Sequence, residues 1–346
     1  MSKVAAEAET VVRPACGGTL QLVLERTKWL RTVEFALVPV IGLALVVGTI
    51  VNDAFFTRQN LINVLQQSSE LSVLVIAETL VVIAGKFDLS LESIVGIAPM
   101  VAAWLVIPVA NGGGGYGMSP YLGILVMFAV GAAVGLLNGF LIVRLELDAF
   151  IVTLAMLILL RGVTIGLSKG QTLYDLPGPL IYVGTSSWIG VPVSVWLAGC
   201  LFLLAGLFLR YHSFGRAIYA IGGNQEAARA AGIRVNRVLM ITFVLAGTLA
   251  AVAGLMLAGR LASVTSGQGQ NMIFFVFAAA VIGGIKLDGG RGSMFGALTG
   301  VLLLGIVANI LTLSSVDSFW QNAVFGGIIL AALVLAKLTG SRSGAG

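Results

Sequence analysis

Long apolar runs limit what this chain can become. Stretches long enough to cross the roughly 30 Å hydrocarbon core of a bilayer, about 20 residues each, occur at 33–51, 69–85, 92–110, 121–143, 149–168, 193–209, 238–259, 294–313 and 318–337. A shorter run, 273–286, has the length to cross obliquely or to re-enter from one side. Inside hydrocarbon every backbone polar group must find its partner within the protein, which leaves helices for a pattern of continuous runs. The expectation is an all-α, polytopic transmembrane helix bundle of about ten spans. Charge content agrees: 10% of the 346 residues are charged, against about 25% in a soluble domain. The 45 glycines fit as well, since small residues let helix backbones approach closely in lipid.

Basic residues set the orientation. With the N-terminus inside and one crossing per run, the inner side receives Lys3, Arg13, Arg26, Lys28, Arg31, Lys86, Arg144, the arginines between 210 and 237, Lys286, Arg291, Lys337 and Arg342. The outer side receives Arg58, Lys169 and Arg260. That asymmetry is the positive-inside pattern, and it places both termini in the cytoplasm. It also requires 273–286 to count as a crossing, because Lys286 and Arg291 would otherwise lie outside. Residues 1–32 mix acidic and basic side chains without an apolar core and read as a cytoplasmic tail rather than a signal peptide. Residues 33–337 form the membrane domain, and 338–346 a short C-terminal tail. The net charge of +5 needs no nucleic acid to explain it, and two cysteines, Cys16 and Cys200, frame neither disulfides nor a metal site.

The connecting segments carry further signals. The outer 111–120 stretch contains Gly112 to Gly115 in a row and reads as flexible, whereas 169–192, with Pro177, Pro179, Trp188 and Pro192, reads as an ordered loop with interfacial aromatic contacts. The longest inner loop, 210–237, holds the helix-forming run Gln225 to Ala231. Asn224 suits its N-cap and Gly232 its C′ position, so a two-turn helix outside the bilayer is expected. Val82 to Ser90 resembles Val281 to Gly289, a faint sign of the internal repeats common in transporters.

No catalytic motif is present. The phosphate-cradling G-x-x-x-x-G-K-[ST] pattern is missing, as are H-E-x-x-H and G-x-S-x-G. Chemistry concentrates instead in the ionisable residues at membrane depth: Glu70, Glu78, Asp88, Glu92 and Arg161. A charge at a helix centre costs about 2.5–3.5 kcal/mol on insertion scales, so such groups pair or line a wet cavity. Glu78 and Arg161 lie deepest, and either a polar path or a structural ion pair between helices accounts for them. Asp88 and Glu92 sit beside Lys86, where a local charge pair is expected. Asn138 and Asn309 interrupt apolar helices, a pattern that serves interhelical bonding more often than substrate.

The loop run Phe214-Gly215-Arg216-Ala217-Ile218-Tyr219-Ala220-Ile221-Gly222-Gly223-Asn224-Gln225-Glu226-Ala227-Ala228-Arg229-Ala230-Ala231-Gly232-Ile233 closely resembles the coupling loop of bacterial ABC-importer permeases of the ribose, xylose and galactoside type. Asp88-Leu89-Ser90, Leu137-Asn138-Gly139 with Arg144, Phe150 to Leu154 with Arg161-Gly162, and Val281 to Gly284 with Gly290-Arg291-Gly292 follow in matching order, so the similarity covers 35–337. The resemblance implies a permease subunit in the bacterial inner membrane that forms the translocation pathway for a sugar or similar small polar solute. It implies a second permease subunit, identical or different, surrounding lipid, an external or periplasmic solute-binding protein, and a cytoplasmic ABC ATPase that alone binds ATP and Mg. Gly223, Asn224, Glu226, Ala227, Ala228, Arg229 and Gly232 are then the ATPase-coupling residues.

Departures from the family pattern gather at the presumed pathway. Gly85-Lys86-Phe87-Asp88-Leu89-Ser90-Leu91-Glu92-Ser93 stands where the family has Gly-Gly-Ile-Asp-Leu-Ser-Val-Gly-Ser, and Glu78 replaces a small or apolar residue. Ile273 to Ala279 stands for Glu-Leu-Asp-Ala-Ile-Ala-Ala, exchanging two acidic positions for apolar ones. Pathway candidates are therefore Glu78, Asp88, Asn138, Arg161, Phe274, Phe277 and Asn309. The alternative is an ion-coupled secondary transporter relaying protons through Glu70, Glu78 or Asp88, which would leave loop 210–237 without a task. An intramembrane enzyme would lack any nucleophile–base or metal set.

Overall fold

The computed structural model describes residue 35, residues 37–317, and residues 320, 321, 323–328, 330 and 334. The expected tails 1–32 and 338–346, and much of the run 318–337, lie outside these residues. The described part is helical almost throughout. In chain order the helices are α1 (Leu37–Val51), α2 (Arg58–Ile83), α3 (Leu91–Val106), α4 (Pro120–Val143), α5 (Ala149–Ser168), α6 (Gly178–Thr185), α7 (Val193–Tyr211), α8 (Ser213–Gly223), α9 (Gln225–Ala230), α10 (Val235–Leu261), α11 (Met272–Ile282) and α12 (Met294–Leu313). Two-residue strands at Ser187–Trp188 and Val191–Pro192 form a small hairpin between α6 and α7.

Among the described residues, α2, α4, α5, α7, α10 and α12 have the length and apolarity to cross a bilayer, while α1, α3 and α11 are shorter apolar helices. The chain is thus a multi-pass membrane protein. Most of α2 is buried, whereas little of α5 and α7 is, so α2 is the central staff. It begins eleven residues before the run at 69–85 that hydrophobicity marks, because polar residues in its first turns are matched by protein. Asn60 and Asn309 of α12 exchange amide hydrogen bonds, both at 2.8 Å, and Gln66 donates to the Gly184 carbonyl at 2.8 Å.

Packing between helices rests on small residues, as expected in lipid. Gly131 and Gly135 of α4 meet α10 backbone to backbone: a Cβ on Gly135 would fall on the Phe243 carbonyl, and one on Gly131 on the Gly247 carbonyl. Between α11 and α12, Gly283 and Gly296 make the same kind of contact.

Two segments inside the bundle are not helical, and each precedes a short apolar helix. Residues 84–90 leave the end of α2 beside the 210–237 loop and run inward before α3 starts. The Ser93 hydroxyl donates to the Leu157 carbonyl at 2.8 Å, nine residues into α5, so α3 begins at mid-depth. Residues 262–271 start at the opposite end, beside α6 and the hairpin, where Leu173 and Val264 form an antiparallel bridge. They lead inward to α11, which continues to the 210–237 end. At 1.5 Å per residue α3 is about 24 Å long and α11 about 16 Å, so α11 in particular falls well short of the roughly 30 Å core. The run 273–286 thus forms a helix too short to span alone, preceded by the irregular segment 262–271. The 111–120 stretch, read as flexible, is hydrogen-bonded back onto the end of α3: Gly114 N–H donates to the Trp104 carbonyl at 2.6 Å and Met118 N–H to Leu105 at 3.2 Å.

Gly135→Leu should lower stability by about 1–3 kcal/mol through overpacking, read as a fall in the thermal midpoint of the detergent-solubilised protein. An unchanged midpoint would contradict the close α4–α10 contact.

Candidate functional site

The 210–237 loop folds into two short helices. His212 opens α8, its Nδ1 accepting from the Phe214 N–H at 3.2 Å. Gly215, Ile218 and Ile221 form the buried face of α8, three residues apart. The chain then turns at Asn224, whose side-chain oxygen accepts from the Ala227 N–H at 2.9 Å and so caps α9. At the other end Gly232 has φ +84°, Gly232 N–H donates to Arg229 O at 3.0 Å and Ile233 N–H to Ala228 O at 3.1 Å. This paired bonding is the Schellman motif, and it needs glycine at the left-handed position. Both caps match the reading from sequence. Ala228 is buried against the bundle, whereas Gly223, Asn224, Glu226, Ala227, Arg229 and Gly232 are exposed.

A glycine contact joins this loop to the membrane helices. Gly222, at the end of α8, lies so close to the Ile83 carbonyl and the Gly290 amide that a Cβ there would overlap both. Gly290 N–H itself donates to Ile83 O at 2.8 Å. Gly289 packs on Gly85, and the Tyr219 hydroxyl donates to the Gly292 carbonyl at 2.8 Å. The turn after α2 and the turn after α11 thus meet beneath α8. These are the two stretches whose sequences resemble each other, and the shared part is a helix stop. Lys86 N–H donates to Val81 O at 3.1 Å, and Ile285 N–H to Ala280 O at 2.9 Å, with Gly85 and Gly284 at φ +75° and +80°. Each is again a Schellman ending.

At mid-depth, α3 and α11 start side by side. Arg161 Nη2 donates to Glu92 Oε1 at 3.0 Å, and Ile273 N–H donates to Glu92 Oε2 at 3.3 Å. Arg161 Nη1 also reaches the Gly267 carbonyl at 3.4 Å. The partner of Glu92 is therefore Arg161, not Lys86. Asp88, wholly buried, accepts from the Ser90 hydroxyl at 2.6 Å and the Ser90 N–H at 3.0 Å, and Asn138 Nδ2 lies 3.4 Å from both its oxygens and 2.8 Å from Ser90 Oγ. Beside Asp88, the rings of Phe87 and Phe277 stand 5.9 Å apart, tilted by 47°. Glu78 is buried without a hydrogen-bond partner for either carboxylate oxygen among the described residues, and Asp88 lies close to it.

The structure thus gathers Glu78, Asp88, Asn138, Arg161 and Phe277 around the start of α3. It does not bring Asn309 there: that residue pairs with Asn60 near a separate small cluster of Phe55, Val64 and Ile306. Phe274 lies on the exposed side of α11. Glu70 makes a two-pronged pair with Arg260, at 2.6 and 3.0 Å. Gln268 was missed from sequence. It is buried and donates to the Val95 and Gly254 carbonyls at 3.1 and 3.2 Å. The signal available for it was the polar run 263–271 between two apolar segments.

Comparison with known proteins gives one family. The model of the branched-chain amino acid transport system permease component matches residues 60–333. The ribose import permease protein RbsC of Escherichia coli (strain K12) is 36% identical over 307 residues, 87% of this chain and 92% of the relative. RbsC of Bacillus subtilis (strain 168) is 34% identical over 303 residues, 86% and 92% of the two chains. The L-arabinose transport system permease protein AraH of Escherichia coli (strain K12) is 35% identical over 257 residues, 73% and 75% of the two chains.

Asn224→Ala should cost α9 about 1 kcal/mol of capping energy, seen as faster hydrogen exchange at 227–231 with the membrane helices unaffected. Exchange at the wild-type rate would show that the cap does not hold the helix.

Proposed function

We propose a specific job for a chain that belongs to the branched-chain amino acid transport system permease-component family. It is a transport subunit of an ABC importer, and ATP hydrolysis falls to a separate subunit. In our reading a cytoplasmic ATPase grips α9 through Gly223, Asn224, Glu226, Ala227, Arg229 and Gly232. That ATPase holds the ATP and Mg, and this chain holds neither. The observation that carries this is a short helix, capped at both ends and mostly exposed with Ala228 buried, joined through α8 to the glycine contact with the turns after α2 and α11. A proton relay gives that helix no purpose.

The basic residues of the 210–237 loop, with Arg144, Lys286 and Arg291, put this end of the bundle in the cytoplasm. About ten crossings with both termini inside follow from the same count, with 262–282 as one crossing made in two parts. The membrane is the bacterial inner membrane. A second permease, identical or different, completes the pathway, and an external binding protein delivers the solute. We assign a sugar or similar polar solute as cargo. Support comes from the names of the relatives and from the Phe87–Phe277 rings beside Asp88 and Asn138, which suit the alternating apolar and hydroxyl surfaces of a sugar. Coupling would run from α9 through Gly222 to the turns at 84–90 and 283–293, and from these to the half-length helices.

Reconstitution with the cognate ATPase and binding protein tests both parts. Ala227→Trp, on the exposed face of α9, should cut ATP-driven uptake roughly tenfold, the scale of a lost interface anchor, without lowering the thermal midpoint. Uptake at the full rate would sink the coupling role. Labelled pentoses should be taken up, and uptake of branched-chain amino acids in their place would overturn the sugar assignment.

A further inference from the structure

Glu92 occupies an unusual position for a carboxylate. It stands in the first turn of α3, where the helix dipole favours negative charge, and it accepts the N–H of Ile273 in the first turn of α11. Two helix starts from opposite directions therefore share one anion. Its other oxygen takes Arg161 from α5. The Glu92 carbonyl is touched as well, since Gly269 packs directly against it. Within a few ångströms this residue fixes α3, α5, α11 and the irregular segment 262–271. Asp88 and Ser90, on the same approach to α3, are bonded to Asn138 and make no hydrogen bond to the cluster.

We propose that Glu92 is a positioning residue for transport. It holds the starts of both half-length helices in register with Arg161, so that displacement delivered at their 210–237 ends reaches the middle of the pathway. The inference rests on the importer reading above. Charge bookkeeping supports it. Arg161 and two helix starts present positive charge to this point, and Glu92 is the anion that answers them. A purely structural staple would need only the charge balance. A positioning role also needs the carboxylate to bridge α11 and α5, which it does with one oxygen on each. The two chain positions involved, 92 and 273, are both departures noted from sequence: one gained a carboxylate where the other lost one.

The test uses the full complex of permease, ATPase and binding protein in proteoliposomes. Glu92→Gln keeps an acceptor for the Ile273 N–H and removes the charge that Arg161 needs. Uptake per ATP hydrolysed should fall roughly tenfold or more, because Arg161 and the two helix starts then lack their counter-charge. Glu92→Gly should fall similarly, and adding Ile273→Glu to it should restore most of the ratio by returning a carboxylate from the α11 side. An unchanged ratio in Glu92→Gln overturns the proposal. So does a loss of uptake and hydrolysis in equal proportion, which marks a staple, or a failure of Ile273→Glu to rescue a double variant that assembles with the wild-type thermal midpoint. Absence of ATP-driven uptake by the wild-type complex would instead sink the importer reading itself.

Discussion

Irregular backbone at membrane depth is the constraint on which this structure turns. A peptide group facing hydrocarbon without a partner costs several kcal/mol, so non-helical chain survives there only when buried in protein. Both such segments meet that condition. Residues 84–90 are closed at one end by the helix stop at Gly85 and at the other by the Asp88–Ser90–Asn138 bonds. Residues 262–271 are clamped by Gln268, whose amide reaches α3 and α10 at once. Everything that distinguishes the interior follows: α2 as a buried staff, a ring of more exposed helices, and two half-length helices whose starts meet at Glu92.

The same arrangement gives the 210–237 loop a mechanical route inward. A side chain at Gly222 would hold α8 away from the turns after α2 and α11, and its lack lets three backbones touch. Contacts between backbones transmit displacement with little slack, because no rotamer can absorb it. On the importer reading proposed above, a displacement received at α9 reaches 84–90 and 283–293 through these contacts. The interior ends of α3 and α11 are then held together by a single carboxylate and its arginine. The loop and the ion pair lie at the two ends of one path.

Much of this was legible in the sequence, and the exceptions have physical reasons. Helix stops and caps are local: Asn224, Gly232 and the repeated Val-Ile-x-Gly endings announce themselves because a few residues fix the geometry. Hydropathy found the long spans for the same reason. It placed the start of α2 too late, since Asn60 and Gln66 are matched by residues on α12 and α6 that lie far away in the chain. It could not show that α3 and α11 start at mid-depth, because an apolar run has the same appearance whether it spans or half-spans. Glu92 was set beside Lys86 by proximity in sequence, but its partner lies 69 residues away. Pairing across helices is a tertiary fact.

Distances measured during the ATPase cycle test the route from loop to interior most directly. In a background lacking Cys16 and Cys200, spin labels at Ala230→Cys on α9, Asp288→Cys beside the glycine contact and Lys169→Cys at the opposite end report whether α9 moves with the turn after α11. If the loop drives the helices, the 230–288 distance stays fixed on ATP binding while the 230–169 and 288–169 distances change together. A 230–288 distance that changes while 288–169 does not would contradict the account, because the loop would then move without carrying the membrane helices with it.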